Sequence, residues 1–167
     1  MSPAPGGALG ALEGSALGQA MRQWLWLYPS VEIVHIVGIA LLFGSIAVLD
    51  LRLLGFSKNI SVKRLASHVL PWTAGAFALI IPSGLLMFTA HATEFIDSEV
   101  FVLKMLLIMA AGVNAALFHT ITFRTADVWD SEEMRKLPPP PSARLAGGLS
   151  LAIWISVIAC GRLLAYF

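Results

Sequence analysis

Four long apolar stretches dominate the pattern of hydrophobic and polar positions along the chain. They cover residues 31–49, 69–90, 101–121 and 145–167, and segments rich in charged residues, serine and proline separate them. Each stretch is long enough to cross a hydrocarbon core of roughly 30 Å at about 1.5 Å per residue. The pattern predicts an all-α protein, with a four-helix transmembrane domain over residues 28–167.

Residues 1–27 follow a different pattern, because glycine repeatedly interrupts their apolar positions. We expect a mobile tail here, followed by a short interfacial helix that precedes the first span. Trp24, Trp26 and Tyr28 then follow closely in sequence. Such amphipathic rings are typical of the level of the lipid headgroups, so they are predicted to anchor the start of the first span.

The composition supports insertion into a bilayer. Hydrophobic residues make up 57% of the 167 residues and charged residues 13%, against roughly 45–50% and 25% in soluble domains. The net charge of +1 argues against a nucleic-acid partner, because a phosphate-binding surface needs an excess of basic residues. The single cysteine, Cys160, excludes an intramolecular disulfide and a CxxC motif.

Basic residues predict the orientation of the spans. Eight of the eleven lysines and arginines flank two connections, the one between spans one and two and the one between spans three and four: Arg52, Lys58, Lys63, Arg64, Arg124, Arg135, Lys136 and Arg144. The connection over residues 91–99 has none. Because cytoplasmic loops carry the excess of basic residues, both termini and the 91–99 loop are predicted to lie outside.

Few ionisable side chains lie within the spans, and each is a functional hypothesis because a charge at mid-bilayer costs about 2.5–3.5 kcal/mol on insertion scales. Position along each helix sorts them into two layers. The outer layer contains His35, His91, Lys104 and Cys160. The inner layer contains His68 and His119, some 20 Å further along the bundle by helical rise.

The four histidines are the candidate metal ligands. An intramembrane imidazole can ligate haem iron or copper, relay protons, or link two helices through a hydrogen bond. For His35 a ligand role is favoured, because Glu32 lies one turn away as a possible outer-shell partner. For His119 ligand and structural roles are equally supported. His68 and His91 lie at helix ends, where an interfacial role is favoured.

A haem needs flat clefts beside its ligand, and small residues provide them. They lie on the faces of both histidines that are deepest in the spans: Gly38 and Ser45 near His35, and Gly112 and Ala115 near His119. The same residues suit close packing of helices without a cofactor, so they discriminate weakly.

Other polar residues have both a functional and a structural interpretation. Lys104 either approaches a cofactor or extends its ammonium to the headgroups. Arg162 suits a haem propionate or a lipid phosphate equally well. Asn114 is either part of a cofactor site or a link between helices. Asp50 and Arg52 are expected to pair with each other or with lipid at the inner interface.

Segments in a fixed order from Tyr28 to the C-terminus carry a family resemblance. They are "YPSVEIVHIVGIALLFGSIAVLDLRLLGF", "LPWTAGAF", "SGLLMF", "FVLKMLLIMAAGVNAALFH" and "CGRLLAYF". The chain resembles DUF6644, a family of small four-helix bacterial membrane proteins. In that family's pattern four residues recur, which here are His35, Lys104, Asn114 and His119. The resemblance implies a location in the bacterial inner membrane, so that the termini would be periplasmic.

More distantly, the early histidine of span one and the lysine of span three are similar to HemJ-type protoporphyrinogen oxidases. The outline is also similar to CopD-like and cytochrome b561-like bundles. These resemblances imply a haem or copper site among the helices. HemJ-like sequences place their second characteristic histidine differently, and this chain comes closest there with Asn114. Substrate chemistry is therefore not carried over.

The first functional hypothesis is a membrane protein that binds haem b, and copper as a second possibility, in electron transfer or redox chemistry. His35 and His119 would be ligands in separate layers. Lys104, His91 or Cys160 would complete the outer site, and His68 the inner one.

Two further hypotheses stay open. One is a haem-dependent oxidoreductase acting on a porphyrinogen or a quinol, with Glu32 or Lys104 moving protons. The other is a non-redox permease or assembly factor. Self-association is also expected, because Gly148 and Ala152 form a small-xxx-small face on span four.

Overall fold

The computed structural model describes residues 7–164 and 166, and within them it is 84% helical without a strand. Its α-helices are α1 (Ala8–Glu13), α2 (Ala16–Gln23), α3 (Leu27–Leu54), α4 (Val62–Ala90), α5 (Ala92–Asp97), α6 (Glu99–Leu117), α7 (Ala126–Trp129) and α8 (Pro141–Leu163). Helix α6 continues through a π turn, Phe118–Thr122, and a 3₁₀ turn, Phe123–Thr125, into α7.

Four helical segments are long and apolar enough to cross a membrane, namely Leu27–Leu54, Val62–Ala90, Glu99–Trp129 and Pro141–Leu163. The all-α four-helix prediction is confirmed, and the chain is a multi-pass membrane protein by this criterion. Residues 165 and 167 of the fourth predicted stretch lie outside the described residues.

The spanning helices extend beyond their apolar stretches to local stop and start signals. Helix α3 ends at Gly55, whose φ of +106° is a left-handed conformation that favours glycine. Helix α4 begins after Ser61, whose hydroxyl accepts a hydrogen bond from the amide of Arg64. Helix α8 begins with Pro141, which has no amide hydrogen to leave unpaired.

The short helix expected before the first span is confirmed as α2, and α1 precedes it within the segment predicted as a mobile tail. Gly14 ends α1, and the hydroxyl of Ser15 accepts a hydrogen bond from the amide of Gly18 at 3.1 Å to start α2. Glycine here marks the boundary between two helices and leaves each of them intact. Residues 1–6 of the predicted tail lie outside the described part.

These two helices pack on the end of the bundle that carries α5, which we call the α5 end. The Glu13 carboxylate accepts hydrogen bonds at 2.7 Å from both the amide and the hydroxyl of Thr93. These bonds favour the ionised form and lower the pKa of Glu13. Arg22 donates to the carbonyls of Ala90 at 2.8 Å and Glu13 at 2.6 Å, so it joins α2 to both α4 and α1.

Helix α3 is the centre of the bundle. It packs on α4 on one side and on α8 on the other, and α8 packs on α6. A Cβ at Gly38 would lie 2.8 Å from Ile80, and one at Gly147 would lie 3.0 Å from Leu53. Both glycines therefore permit close approach of α3 to its neighbours. Within the described residues α4 and α6 have almost no contact, so the bundle is open between them.

The opening between α4 and α6 is closed at the α5 end by aromatic side chains. Phe88 on α4 stacks on Phe101 of α6 with ring centroids 5.9 Å apart, and Phe95 stacks on Phe101 at 5.3 Å. Stacked rings at these distances bring substantial apolar area into contact. The gap is therefore bounded where the chain crosses from α4 to α6.

A buried ion pair closes the opposite end, which we call the Asp130 end. The Asp130 carboxylate accepts hydrogen bonds from Arg52 at 3.0 Å, from the Ser61 hydroxyl at 2.7 Å and from the Val62 amide at 2.7 Å. The side chains of Arg52 and Asp130 are each 3% exposed. This contact joins the ends of α3, α4 and α7.

The expected pairing of Asp50 with Arg52 is wrong, because Arg52 pairs with Asp130. Residues two positions apart on a helix project to different sides, so these two side chains do not face each other.

The small face of α8 is partly used inside the bundle. A Cβ at Gly148 would lie 3.6 Å from the Leu54 side chain of α3, whereas Ala152 is exposed. Self-association through this face stays a prediction.

Candidate functional site

A cavity of about 390 Å³ lies on the open side of the bundle, towards the Asp130 end. This volume is within the range of roughly 300–1,000 Å³ that small-molecule pockets have. All four spanning helices contribute to it. Most of the lining is apolar, and it includes Leu49, Leu53, Leu70, Phe77, Ile108 and Trp154. Because α4 and α6 barely meet, this apolar space opens sideways, towards the position of the lipid.

The imidazole of His119 lines this cavity. Its Nδ1 lies 2.9 Å from the carbonyl oxygen of Ala115, one turn earlier. A carbonyl can only accept, so Nδ1 carries a hydrogen, and in the neutral imidazole Nε2 then keeps its lone pair. His119 belongs to the π turn Phe118–Thr122, a geometry that often occurs at functional sites. The ring is thus held in the tautomer that a metal or a hydrogen-bond donor requires.

Asn114, one turn earlier, links two helices. Its side-chain amide donates to the carbonyl oxygen of Ala146 on α8 at 3.0 Å. This is the helix-linking role considered for the residue, and it fixes one wall of the cavity, which both residues line. The contact joins α6 to α8 but leaves the carbonyl oxygen of the Asn114 amide available.

Asp50 is the cavity residue whose role the sequence did not reveal. It lies on α3, lines the cavity and is 5% exposed. Its Oδ2 atom is buried and has no hydrogen-bond partner in the described part of the chain. The hydroxyl of Ser150 on α8 lies beside the carboxyl group. A buried carboxyl oxygen without a partner costs free energy, so its retention here points to function.

A second polar cluster lies nearer the α5 end and contains His35. Nδ1 of His35 lies 2.9 Å from the hydroxyl of Ser83 on α4. That hydroxyl donates to the carbonyl of Leu79 at 2.6 Å, so its oxygen accepts from Nδ1. Lys104 lies close enough to interact electrostatically with His35 and with Cys160. These interactions agree with the shared level that helical rise predicts for the three side chains.

Space around the His35 cluster is small. A Cβ at Gly84 would lie 3.1 Å from Cε1 of His35, and a Cβ at Gly161 would lie 3.4 Å from Nζ of Lys104. These glycines make room for the two side chains themselves. A flat cofactor beside His35 would therefore require α3 and α4 to separate.

Glu32 does not support His35 as expected. It is exposed, and across the described residues no hydrogen bond or ion pair joins it to the imidazole. Ser83 takes that place. A separation of one helical turn does not bring the two side chains into contact, because His35 turns towards α4 while Glu32 stays on the outer surface of α3.

The other sequence candidates lie away from both clusters. His91 lies 3.1 Å from the Glu94 carboxylate at the α5 end. His68 is exposed and bonds the Arg64 carbonyl at 3.0 Å. Arg162 is exposed and donates to the Tyr166 hydroxyl at 2.6 Å. Neither His68 nor His91 joins the histidine of its predicted layer.

Residues 11–167 match a sequence family described as a family of unknown function, DUF6644. The chain belongs to the DUF6644 family. No curated protein and no solved structure matches it. The more distant likeness of this DUF6644 protein to HemJ-type, CopD-like and cytochrome b561-like bundles accordingly stays a prediction.

The two cofactors considered for the DUF6644 protein differ in the ligands that they need. The described residues contain no group of three or more His, Cys, Asp and Glu side chains that could hold a metal ion. A copper site built wholly from such ligands is therefore not preformed there. Haem requires fewer protein ligands, because one imidazole suffices to hold the iron and an apolar cleft accommodates the ring. The cavity beside His119 meets both conditions.

Proposed function

We propose that this DUF6644 protein binds haem b in the cavity on the open side of its transmembrane bundle and has a redox role. The observation that carries the proposal is the geometry of His119. Metal-ligating histidines typically donate their other ring N–H to a carbonyl or a carboxylate, and Nδ1 of His119 lies 2.9 Å from the Ala115 carbonyl. Nε2 is then free to bind iron in an apolar space.

Haem b supplies one-electron chemistry when it is bound. The chain would hold the iron through Nε2 of His119, and the small residues Ala111, Gly112 and Ala115 along the same helix would leave room for a flat ring. Apolar side chains exclude water from the ring. His35, Lys104 and Arg162 stay candidates for additional contacts, which the cavity beside His119 does not require.

The proposal predicts a haem spectrum in the purified protein. The chain should be expressed with haem precursor, purified in mild detergent, and examined by visible absorption before and after dithionite, together with iron and copper analysis. We expect a Soret band and iron, and extraction of the haem by acidic organic solvent, since there is no CxxCH attachment motif. A colourless, iron-free protein would contradict the proposal and favour a permease or assembly factor.

We propose further that the protein lies in the bacterial inner membrane with both termini and the α5 end outside. The basic residues near the Asp130 end support this orientation through the positive-inside rule. Single cysteines at Glu94 and Glu132, in a Cys160→Ser background, should react with a membrane-impermeant maleimide from opposite sides. Both positions are exposed, so labelling of both from one side of spheroplasts would refute the orientation.

A further inference from the structure

The cavity combines an unpartnered acceptor with an opening towards the bilayer. Asp50 is 5% exposed, and its Oδ2 has no hydrogen-bond partner among the residues described. The surrounding wall is apolar, and α4 and α6 leave it open at the side. A molecule that reaches Asp50 through this opening comes from the hydrocarbon region rather than from water.

Three physical constraints describe that molecule. It must be apolar over most of its surface, because it dissolves in the bilayer and contacts apolar side chains. It should carry a hydrogen-bond donor, because a carboxyl oxygen accepts hydrogen bonds whether or not the group is protonated. The donor should be neutral, since bringing an isolated ammonium through a hydrocarbon opening costs far more free energy than bringing a hydroxyl.

A second acceptor fits the same description. In the neutral form of His119, Nε2 keeps its lone pair, because Nδ1 faces the Ala115 carbonyl. Asp50 and His119 line the cavity from α3 and from the end of α6, respectively. A ring with two hydroxyl groups could thus use an acceptor on each helix.

We propose that the cavity binds a lipid-soluble molecule of the phenol or quinol class, which enters between α4 and α6 and donates a hydroxyl hydrogen bond to Asp50. The inference rests on the proposed function only in treating the cavity as the ligand site. It names a different chemistry for that site, so a quinol and haem b would compete for the same space.

The decisive comparison uses two probes and one substitution. A radiolabelled hydroquinone with a ten-carbon tail and its dimethyl ether should be tested on the full chain in nanodiscs at equal mole fractions in the lipid. The ether keeps the same ring and tail, with a methyl group on each oxygen, and cannot donate a hydrogen bond. The wild type should prefer the hydroquinone by about ten-fold, which is the net effect of one hydrogen bond to a buried acceptor.

Asp50→Leu should lower that preference, leaving only the contribution of His119. Leucine has the same branching at Cγ and leaves no acceptor at this position, so the two probes should bind this variant more nearly alike than they bind the wild type. Folding should be preserved, because the substitution replaces an unpartnered buried carboxyl with an apolar group. A preference unchanged in Asp50→Leu overturns the inference. Absence of binding to the wild type, or equal binding of both probes to it, also overturns it.

The lateral entrance is tested with two matched glycine substitutions. A Cβ at Gly112 or at Gly75 meets no atom within 4 Å, so both positions tolerate a larger side chain. Gly112 lines the cavity and Gly75 is outside it. Gly112→Phe should reduce hydroquinone binding several-fold, and Gly75→Phe should leave it unchanged. Equal effects of the two substitutions would contradict entrance at this side.

Absorption spectra of the same preparations separate this inference from haem binding. A preference for the hydroquinone without a Soret band would refute haem b alone. A Soret band that the hydroquinone does not displace, together with equal binding of the two probes, would refute the quinol inference alone. Displacement of haem by the hydroquinone, but not by its ether, supports both.

Discussion

Asp130→Ala should lower the free energy of unfolding by about 3–5 kcal/mol, the effect of removing one partner of a buried ion pair. Arg52 would be left buried at 3% exposure without its carboxylate. The substitution also removes the acceptor for the Val62 amide and the Ser61 hydroxyl, so the start of α4 loses its contact with the segment after α7. The measurement is unfolding by SDS titration in mild detergent, followed by far-UV circular dichroism.

Asp127→Ala is the matched control, because it removes a carboxylate three residues earlier, within α7. Asp127 pairs with Lys63, but their side chains are 75% and 42% exposed. Exposed ion pairs contribute about 0–1 kcal/mol, so this variant should unfold nearly as the wild type does. Similar losses of unfolding free energy in both variants would contradict the role of the Asp130 contact in joining the ends of α3, α4 and α7.

His119→Ala should abolish the Soret band, whereas His68→Ala should leave it unchanged. The two histidines make the same local contact, since Nδ1 of each faces the carbonyl of the residue four positions earlier. They differ in surroundings, because His119 lines the cavity and His68 is exposed outside it. The comparison therefore isolates the effect of the cavity from that of losing an imidazole. Absorbance per mole of folded protein is the quantity to measure.

His35→Ala tests whether the second polar cluster acts separately. On the prediction of two layers it should remove or change a different spectroscopic species from the one that depends on His119. Gly84 approaches the His35 ring closely, which leaves little space for a haem there. We therefore expect the haem that depends on His119 to be retained in this variant. Loss of the whole spectrum in folded His35→Ala protein would mean that the two histidines serve one shared site.

The spans and the relative depth of polar residues were predictable, because helical rise converts sequence position directly into distance. That arithmetic brought His35 and Lys104 to one level, and the structure has them close enough to interact. It could not say which way each side chain faces. His68 and His119 were assigned to one layer, yet only His119 lines the cavity.

Facing depends on packing between helices, which a single sequence specifies weakly. Glu32 and His35 share a helix face at the i, i+3 spacing, but Ser83 on another helix took the imidazole. For Asp50 and Arg52, the two-residue spacing in the sequence already argued against the expected pairing. Residues two apart on a helix diverge, so their chemistry had to be considered separately. Arg52 bonds Asp130, which is distant in sequence.

The π turn at Phe118–Thr122 sets the angular phase between two parts of the third span. A π turn holds one residue more than an α-helical turn, and one residue corresponds to a rotation of about 100° in an α-helix. Deleting a single residue there would rotate the cavity wall formed by α6 relative to the segment that carries Asp130. Insertions and deletions in these five positions therefore cannot be neutral, because this turn sets the direction of the cavity wall on α6 relative to Asp130.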